Sequence, residues 1–314
     1  MIIVFGSLNM DMLVRVDAFP DRGETVLSSE AKFLPGGKGG NQAFAAARLG
    51  EKVAMVGMIG NDDFGRILTD TLRRNGASTS GVAKSQDSNT GTAIVTRDKS
   101  GENQIIVASG ANYDAKEQQV PDEILIDGNY LLLQMELPLE ETVALLARAS
   151  KAGVKTVMNL APAIMVPQKA IECLDYLVVN SIEAKQIAVT LGLSESLPPA
   201  KLAQALAQVG NLTCIVTGGI EGSIAVNQNG EAWQVKTVPV SGEELVDTTG
   251  AGDCYCGTLT ACLHAGKSLP EAMRYASGAA ACSVKKEGAQ NSYPYLSEIE
   301  EIIEDIPEAE KISL

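Results

Sequence analysis

The chain has 314 residues, of which 45% are hydrophobic and 20% charged, and its formal net charge is −14. This length allows one large core, or one core with an appended lobe, and no biased tract indicates long disordered regions. Because DNA, RNA and anionic membranes are held by clustered Lys and Arg side chains, the acidic charge argues against a nucleic-acid or membrane partner.

Short apolar runs alternate with helical patterns along most of the chain, which predicts an α/β fold with a mostly parallel central sheet and helices on both faces. The predicted strands are Ile2–Phe5, Val53–Ile59, Tyr130–Gln134, Thr156–Asn159, Tyr176–Val179 and Ile215–Thr217. The predicted helices are Asn41–Leu49, Phe64–Asn75, Leu139–Ala152, Ile182–Leu191 and Ala200–Val209. The last third is predicted to be helical from Asp253 to about Ile306 and to end in a solvated acidic tail.

Two segments, Met10–Pro35 and Gln86–Gly110, interrupt this alternation. In the second, Thr90–Val95 and Gln104–Val107 flank a polar turn at Arg97–Asn103, the pattern of a β-hairpin. We predict that both segments form a small β lid over one end of the sheet; an ordinary excursion or a dimer-forming patch is the alternative. The predicted domains are a core of residues 1–9, 36–85 and 111–314 and a lid of residues 10–35 and 86–110.

Cysteine, histidine and apolar runs bear on the cellular compartment. The six cysteines form no C-x-x-C pair and the one histidine is His264, so the ligands of a zinc site are lacking. The apolar run Ile2–Phe5 is too short for a signal-peptide core, and no 18-residue apolar run occurs. We predict a cytoplasmic protein with reduced thiols.

The segment Asp247–Asp253 reads DTTGAGD and precedes a run of small residues with a helical pattern. Its glycines permit positive φ and close approach, so N–H groups can converge on an anion where a helix begins. Asp253 beside such a cradle is suited to accept a hydroxyl proton while the amides of Gly250, Ala251 and Gly252 stabilise a transferring phosphoryl group. These four residues are the predicted catalytic set. The alternative is a turn in which Asp253 only caps the helix.

The segment Gly36–Ala43 reads GGKGGNQA and joins the predicted lid to the first long helix. Lys38 and Asn41 supply donors suited to sugar hydroxyls or phosphate oxygens. The alternative is a flexible hinge with an exposed lysine. Because Lys38 is followed by Gly39, this is not a Walker A loop, and no G-x-G-x-x-G occurs, which argues against a dinucleotide-dependent oxidoreductase.

With these motifs the chain resembles the ribokinase family of sugar kinases, also called the PfkB group, from about Val4 to Tyr295. Four further segments support the resemblance: GSLNMD at 6–11, LQMELPLE at 133–140, NSIE at 180–183 and EGAQNSYP at 287–294. The resemblance implies a ribokinase-like, Rossmann-type fold with a β lid. It also implies transfer of the γ-phosphate of ATP to a hydroxymethyl group, with ribose as the expected acceptor and Asp253 as the base.

The resemblance implies a sugar site at the lid side of the sheet. Its expected residues are Asn9, Asp11, Gly36, Gly37, Lys38, Asn41, Glu136 and Asp253. Glu136 ends an apolar strand, where ligands collect in open α/β sheets; an exposed strand-end carboxylate is the alternative.

The resemblance also implies sites for the nucleotide and for cations. By this resemblance, Asn180 and Glu183 would organise Mg²⁺ through water. Considered without the resemblance, the same two residues are typical of a helix N-cap followed by an acidic first turn. Ser181 departs from the acid that many relatives carry there, and Ser277 stands where relatives often have His or Asn. The further nucleotide residues are Thr217, Gly219, Gly222 and Ser277, and a K⁺ would lie at Asp247, Thr249, Ser283, Gly288 and Ser292.

Several alternatives remain open at the level of function. Within the kinases the acceptor could be deoxyribose, fructose, a keto-deoxy sugar acid or a nucleoside, although the 4% aromatic content offers little for stacking a base. Outside them, a non-catalytic sugar-binding regulator would share the fold. The resemblance further implies a homodimer that pairs through the lid.

Overall fold

The structure is a computed structural model that describes residues 1–99, 102–240, 242 and 244–314. Ser100 and Gly101 of the predicted polar turn lie outside the described residues. The strands are β1 (Ile2–Phe5), β2 (Asn9–Arg15), β3 (Ala31–Gly36), β4 (Val53–Ile59), β5 (Ser78–Lys84), β6 (Gly91–Arg97), β7 (Asn103–Ala108), β8 (Tyr130–Leu133), β9 (Lys155–Asn159), β10 (Tyr176–Asn180), β11 (Thr213–Thr217), β12 (Ser223–Val226), β13 (Ala232–Val235) and β14 (Glu310–Ile312). The α-helices are α1 (Lys38–Arg48), α2 (Asp63–Arg74), α3 (Leu139–Lys151), α4 (Gln168–Ile171), α5 (Ser181–Thr190), α6 (Pro199–Gly210), α7 (Ala251–His264), α8 (Leu269–Ser283) and α9 (Leu296–Ile302).

The main sheet has the strand order β14-β13-β12-β11-β10-β9-β8-β1-β4-β5. From β11 to β5 neighbouring strands pair in parallel. The strands β12, β13 and β14 extend one edge in antiparallel pairs. The predicted α/β fold with a mostly parallel sheet is confirmed.

Strand β1 shows why the centre of this sheet is uniformly apolar. Each of its four residues is fully buried, because helices cover both faces. Ile2 and Val4 pack with residues of α1, α2, α7 and α8, whereas Ile3 and Phe5 pack with residues of α3, α5 and α6. Strand β1 lies between β4 on one side and β8 on the other, and the strands continue outward from each in chain order. The carboxyl end of β1 therefore lies at a topological switch point.

A second, four-stranded sheet has the order β3-β2-β6-β7, and we call it the lid sheet. Strands β6 and β7 pair antiparallel, as the predicted hairpin requires. Basic side chains of this sheet reach carboxylates of the core: Arg15 and Lys32 pair with Glu287, and Arg97 pairs with Asp247. The small β lobe is therefore present, while its assignment as a separate domain stays a prediction.

The sequence prediction missed the strands β5, β12, β13 and β14. Strand β5 is an edge strand of mostly small and polar residues, and β12 and β13 contain the polar residues Ser223 and Gln234, so none shows a continuous apolar run. The acidic tail was predicted as a solvated helix face and tail, but its end, Glu310–Ile312, forms β14 against β13. Backbone pairing at a sheet edge leaves little trace in the side-chain pattern.

Within the described part of the chain, no helix has both the length and the apolar character needed to cross a membrane.

Candidate active site

The candidate site lies at the carboxyl ends of the parallel strands, where polar residues follow buried runs. Ser7 follows β1, Glu136 follows β8, and Asn159 is the last residue of β9. Asn180 and Thr217 end β10 and β11. Because parallel strands bring their carboxyl ends to one edge, these side chains lie along the same edge of the sheet, where Glu136 lines one cavity and Asn159, Asn180 and Thr217 line another.

Asp253 lies in the first turn of α7 and is buried, with 7% of its surface exposed. Its Oδ2 accepts a hydrogen bond from Asn41 Nδ2 (3.0 Å) and its Oδ1 accepts one from Gln42 Nε2 (2.9 Å). The residue at the N-cap position is Gly250. The alternative in which Asp253 only caps this helix is therefore wrong.

The two glycines at the start of α7, Gly250 and Gly252, are required for different structural reasons. Gly250 has a φ of +75°, and a Cβ there would lie 2.5 Å from the Tyr293 hydroxyl, which donates to the Gly250 carbonyl (2.8 Å). A Cβ on Gly252 would meet open space. The Ala251 N–H donates to the Thr248 carbonyl (3.2 Å), so one of the three amides predicted to bind phosphate already has a partner within the turn.

The expected sugar residues surround the start of α1. Gly37 has a φ of +82°, and a Cβ there would lie 2.6 Å from the Asn9 backbone nitrogen. Glu136 Oε2 accepts from the Lys38 N–H (3.2 Å) and from the Ser7 hydroxyl, so Glu136 is held in place and is not a free strand-end carboxylate. Lys38 begins α1 and is partly buried, which contradicts the alternative of a flexible hinge with an exposed lysine.

Asp11, on β2, lies beside this set, and a Cβ on Gly36 would meet its carboxylate. Burial raises the pKa of Asp11 to about 7, and the nearby carboxylates of Glu136 and Asp253 add to that rise. The Asp253 carboxylate raises the pKa of Lys38, which burial alone would lower. A carboxyl that changes charge near neutral pH therefore faces a lysine that stays protonated.

The wider opening beside these residues is a cavity of about 530 Å³. Asn9 and Glu136 line it together with Tyr113 and Ile164. Asn112 also lines it, and its Nδ2 donates to Asn9 Oδ1 (2.7 Å). Sequence reasoning missed Asn112, whose signal was an asparagine two residues after the second lid segment.

On the other side of Asp253 lies a cavity of about 140 Å³, lined by Lys38, Asn180, Glu183, Gly250, Gly252 and Asp253 among others. Asn180 and Glu183 also form a capping box: Asn180 Oδ1 accepts from the Glu183 N–H (2.8 Å), and Glu183 Oε2 accepts from the Asn180 N–H (2.8 Å). Burial raises the pKa of Glu183. The helix-cap alternative is thus correct, and the same two residues face the cavity.

The remaining residues predicted for the nucleotide line a neighbouring cavity of about 110 Å³. Thr217, Gly219, Gly222 and Ser277 all contribute to it, together with Thr237 and Tyr255, which the sequence prediction missed. The structure therefore brings the whole predicted nucleotide set to two adjoining cavities.

The predicted K⁺ residues are only partly brought together. Asp247 Oδ1 accepts from Thr249 Oγ1 (2.7 Å) and Oδ2 accepts from the Gly288 N–H (3.0 Å). Burial would raise the pKa of Asp247, but hydrogen bonds from Gly288, Thr249 and Arg97 lower it. The hydroxyls of Ser283 and Ser292 donate to Ala280 and Ala289 carbonyls instead.

The donor chemistry decides which cations this site suits. The predicted set offers oxygen ligands, as K⁺ and Mg²⁺ require. Among the described residues, no group of three His, Cys, Asp or Glu side chains converges to hold a metal. A Mg²⁺ would therefore depend on water and phosphate oxygens besides Glu183.

Comparison with known proteins decides the family. Residues 1–296 match the model of the pfkB family of carbohydrate kinases. The chain belongs to this family. It is 35% identical over 303 residues to a ribokinase of Haemophilus influenzae (96% of this chain, 97% of that protein) and 35% identical over 306 residues to one of Bacillus subtilis (96% and 99%).

Solved structures of family members agree with the fold. The crystal structure of ribokinase from Thermotoga maritima superposes with a TM-score of 0.88 at 35% identity, covering 96% of this chain and 99% of that one. The structure of Arabidopsis thaliana ribokinase complexed with ribose and ATP gives a TM-score of 0.88 at 29% identity, covering 96% and 98%.

Proposed function

We propose that this protein is an ATP-dependent sugar kinase that converts ribose to ribose 5-phosphate. One observation carries the proposal: Asp253 lines the same cavity as Gly250 and Gly252 while its carboxylate is bonded to Asn41, a residue of the expected sugar side. A base thus stands between an anion-binding helix start and a hydroxyl-binding set. The full-length similarity to ribokinases, one solved with ribose and ATP, supports the same substrates.

The mechanism we propose is in-line phosphoryl transfer. Asp253 takes the proton of the sugar hydroxymethyl group, the oxygen bonds to the γ-phosphorus, and the bond to the β-phosphate oxygen breaks to release ADP. The N-terminus of α7 would stabilise charge on the transferring group through the N–H groups at Gly250 and Gly252, and through that of Ala251 on exchange of its Thr248 partner for a phosphate oxygen. Lys38 adds a positive charge beside the base.

The remaining expected residues would hold and orient the two substrates. Asn9, Asp11, Glu136 and the Gly36–Gly37 turn present directional donors and acceptors to sugar hydroxyls. We assign Thr217, Gly219, Gly222 and Ser277 to the nucleotide. Closure of the lid sheet over the sugar would exclude water, which could otherwise accept the phosphoryl group.

Two cations complete the proposal. Glu183 and Asn180 would hold Mg²⁺ through water, and Mg²⁺ would neutralise phosphate charge. The oxygens at Asp247, Thr249, Ser283, Gly288 and Ser292 fit a K⁺ by donor type. The K⁺ would add positive charge near the start of α7. Arg97 already places one positive charge there, since its guanidinium lies 3.1 Å from Asp247 Oδ1.

We also propose that the protein works as a cytoplasmic homodimer that pairs through the lid sheet. Strand β7 lies at the edge of that sheet and is exposed along its whole length. Ile105, Ile106 and Val107 follow one another there and form an exposed apolar edge that a second copy of the chain would shield from water.

The proposed location in the cytoplasm suits the substrates and the thiols. The cytoplasm supplies ATP and keeps thiols reduced, which suits the six free cysteines.

A sugar panel tests the proposed reaction. Purified protein is incubated with ATP, Mg²⁺ and ribose, 2-deoxyribose, fructose, a keto-deoxy sugar acid or adenosine, and products are identified by phosphorus NMR. We expect ribose 5-phosphate, with kcat/KM for ribose at least about 10-fold above that for each other acceptor. A higher value for another acceptor would show that ribose is the wrong assignment. Binding of sugar without any phosphorylated product would favour the regulator.

A further inference from the structure

Gln42 is the second partner of the Asp253 carboxylate, and its amide is completely buried. Its Nε2 donates to Asp253 Oδ1 (2.9 Å), as Asn41 Nδ2 donates to Oδ2 (3.0 Å). Gln42 is 0% exposed, so a substrate cannot reach its amide. The two adjacent residues of α1 thus both bond the carboxylate, and they differ in that Asn41 keeps 5% of its surface exposed whereas Gln42 contacts the protein alone.

The Gln42 amide is itself fixed by two strands of the main sheet. Its other N–H donates to Asn159 Oδ1 (3.0 Å) at the end of β9, and its Oε1 accepts from Gln134 Nε2 (2.7 Å) after β8. Asn159 Nδ2 in turn donates to the Val178 carbonyl (3.2 Å) on β10. Both N–H groups and the carbonyl of Gln42 are thus engaged, and its orientation is determined.

The polarity of these bonds matches an ionised base. A carboxylate can only accept hydrogen bonds, and the amides of Asn41 and Gln42 both present N–H groups to it. Gln42 cannot turn over to accept a proton from Asp253. Its oxygen would then face Asn159 Oδ1, and Asn159 cannot turn over with it because its own Nδ2 donates to the Val178 carbonyl. The lone pair of Asp253 Oδ1 that faces Gln42 already accepts the hydrogen bond from Gln42 Nε2 and therefore cannot accept the hydroxyl proton.

We infer that Gln42 is a positioning residue for the proposed phosphoryl transfer: it fixes the plane of the Asp253 carboxylate and leaves the substrate-facing lone pairs as the place where the hydroxyl proton is accepted. Gln134 and Asn159 act one step further away by holding the Gln42 amide. This inference rests on the proposed function, since it requires Asp253 to be the base. It concerns orientation of the base and adds no group that touches the substrate.

A pH profile is one readout, so the charged and titratable groups around Asp253 matter. The groups that interact with it come from every neighbouring element: Lys38 on α1, Asp11 on β2, Glu183 on α5, Cys254 and Cys256 on α7, and Tyr293. None of them is changed in the variants below. A shift of the acidic limb of the kcat/KM profile between wild type and a Gln42 variant can then be assigned to the loss of the Gln42 N–H group that faces Asp253.

The test is a double-mutant cycle in the full-length enzyme, with Gln42→Met, Asp253→Asn and the double variant. Gln42→Met should lower kcat roughly 10- to 100-fold with KM for ribose within about threefold, because orientation of the base is lost while the sugar residues remain. In the Asp253→Asn background the same substitution should lower kcat less than about threefold, since it acts through Asp253. The acidic limb of kcat/KM should move up by about one pH unit in Gln42→Met.

Two further variants protect the test against misfolding. Gln42→Glu keeps the volume and the acceptor for Gln134 but removes the N–H directed at Asp253, so it should lose kcat at neutral pH at least as strongly. Gln119→Met removes a partly buried amide that bonds the Gly57 carbonyl (2.7 Å) away from the site, and should leave kcat and the pH profile unchanged.

The outcomes separate the inference from the proposed function. Wild-type kcat in both Gln42 variants, or an equal fold loss with and without Asp253, would overturn the inference while leaving Asp253 as the base. Near-normal turnover of Asp253→Asn alone would overturn both.

Discussion

Asp11 faces two other carboxylates, Glu136 and Asp253, inside a partly buried site. The arrangement costs free energy once all three are ionised, and Lys38 offsets only part of it. A sugar whose hydroxyls donate to these oxygens would relieve the repulsion. The residue is thus suited to binding a neutral polyol and poorly suited to binding an acid.

Replacing Asp11 with Asn should change stability in a pH-dependent way. Because burial raises the pKa of folded Asp11 to about 7, well above the unfolded value, wild-type stability falls as pH rises from about 4 to 7. Asp11→Asn removes this loss, so its Tm should exceed that of wild type by about 5–8 °C at pH 8, with the difference shrinking towards pH 4. Scanning calorimetry across this range measures it.

The control for Asp11 is Asp17→Asn, a change of an exposed lid carboxylate with 85% of its side chain accessible. It should give the same Tm as wild type at both ends of the range. An equal Tm gain for Asp11→Asn at pH 4 and pH 8 would contradict the raised pKa.

The role of a residue could be predicted from the sequence where its partners are its neighbours along the chain. Asp253 and its glycines stand within one heptapeptide, so their proximity is given by the chain itself. Gln42 could not be assigned, because its partners Gln134 and Asn159 are 92 and 117 positions away and meet it only in the folded sheet. Arg97 was missed for the same reason, since its contact with Asp247 spans 150 positions.

At the scale of elements, the start of α7 combines two glycines with opposite requirements. Gly250 must adopt a positive φ and has no room for a Cβ, whereas Gly252 faces open space. The first supports the turn, and the second leaves room for an anion at the helix start. A matched pair of alanine substitutions separates these functions.

Gly250→Ala should reduce the free energy of unfolding by about 2–4 kcal/mol, because the new methyl group would be strained and would collide with Tyr293. Gly252→Ala should change that free energy by less than about 1 kcal/mol, yet weaken ATP binding roughly 10-fold or more, since its methyl group occupies the approach to the helix start. Urea unfolding and calorimetric titration with ATP measure the two effects. Unchanged ATP affinity in Gly252→Ala would contradict the assignment of the cradle.

The elements that sequence analysis predicted are those with strong periodicity. The buried parallel strands and the helices between them appear within one or two residues of their predicted ends, with a wider difference of three residues only at the start of α1. Edge strands such as β5 and β14 were missed, since they bury too little apolar surface to leave a pattern.

At the scale of the whole molecule, the lid sheet is attached to the core by charged contacts. Two of them, Arg15 and Lys32 with Glu287, are half-exposed and contribute little each, whereas Arg97 reaches the buried Asp247. Apolar contacts add to these, since Phe33 of β3 packs against Phe64 of α2 and Met10 of β2 is buried in the core. The lid sheet is therefore attached to the core through both charged and apolar contacts.

The outer edge of the lid sheet leads to a prediction about assembly. Ile106 on β7 is 68% exposed, so Ile106→Lys should convert the proposed dimer to a monomer by placing a charge on the pairing strand. Light scattering after size exclusion should give twice the mass of one chain for wild type and one chain mass for the variant. The control Ile182→Lys changes an equally exposed residue on α5 (69%) and should leave the mass of the dimer unchanged. A wild-type monomer would contradict the assembly.

The central claim, that Asp253 is the base of a ribose kinase, is tested most directly by the turnover of Asp253→Asn with ATP and ribose, measured beside the affinity of the same variant for ribose. Asparagine keeps the shape of the side chain but cannot accept the hydroxyl proton, so we expect kcat to fall by about 10³-fold or more, with ribose affinity within about 10-fold of wild type. Turnover within a few-fold of wild type would contradict the account.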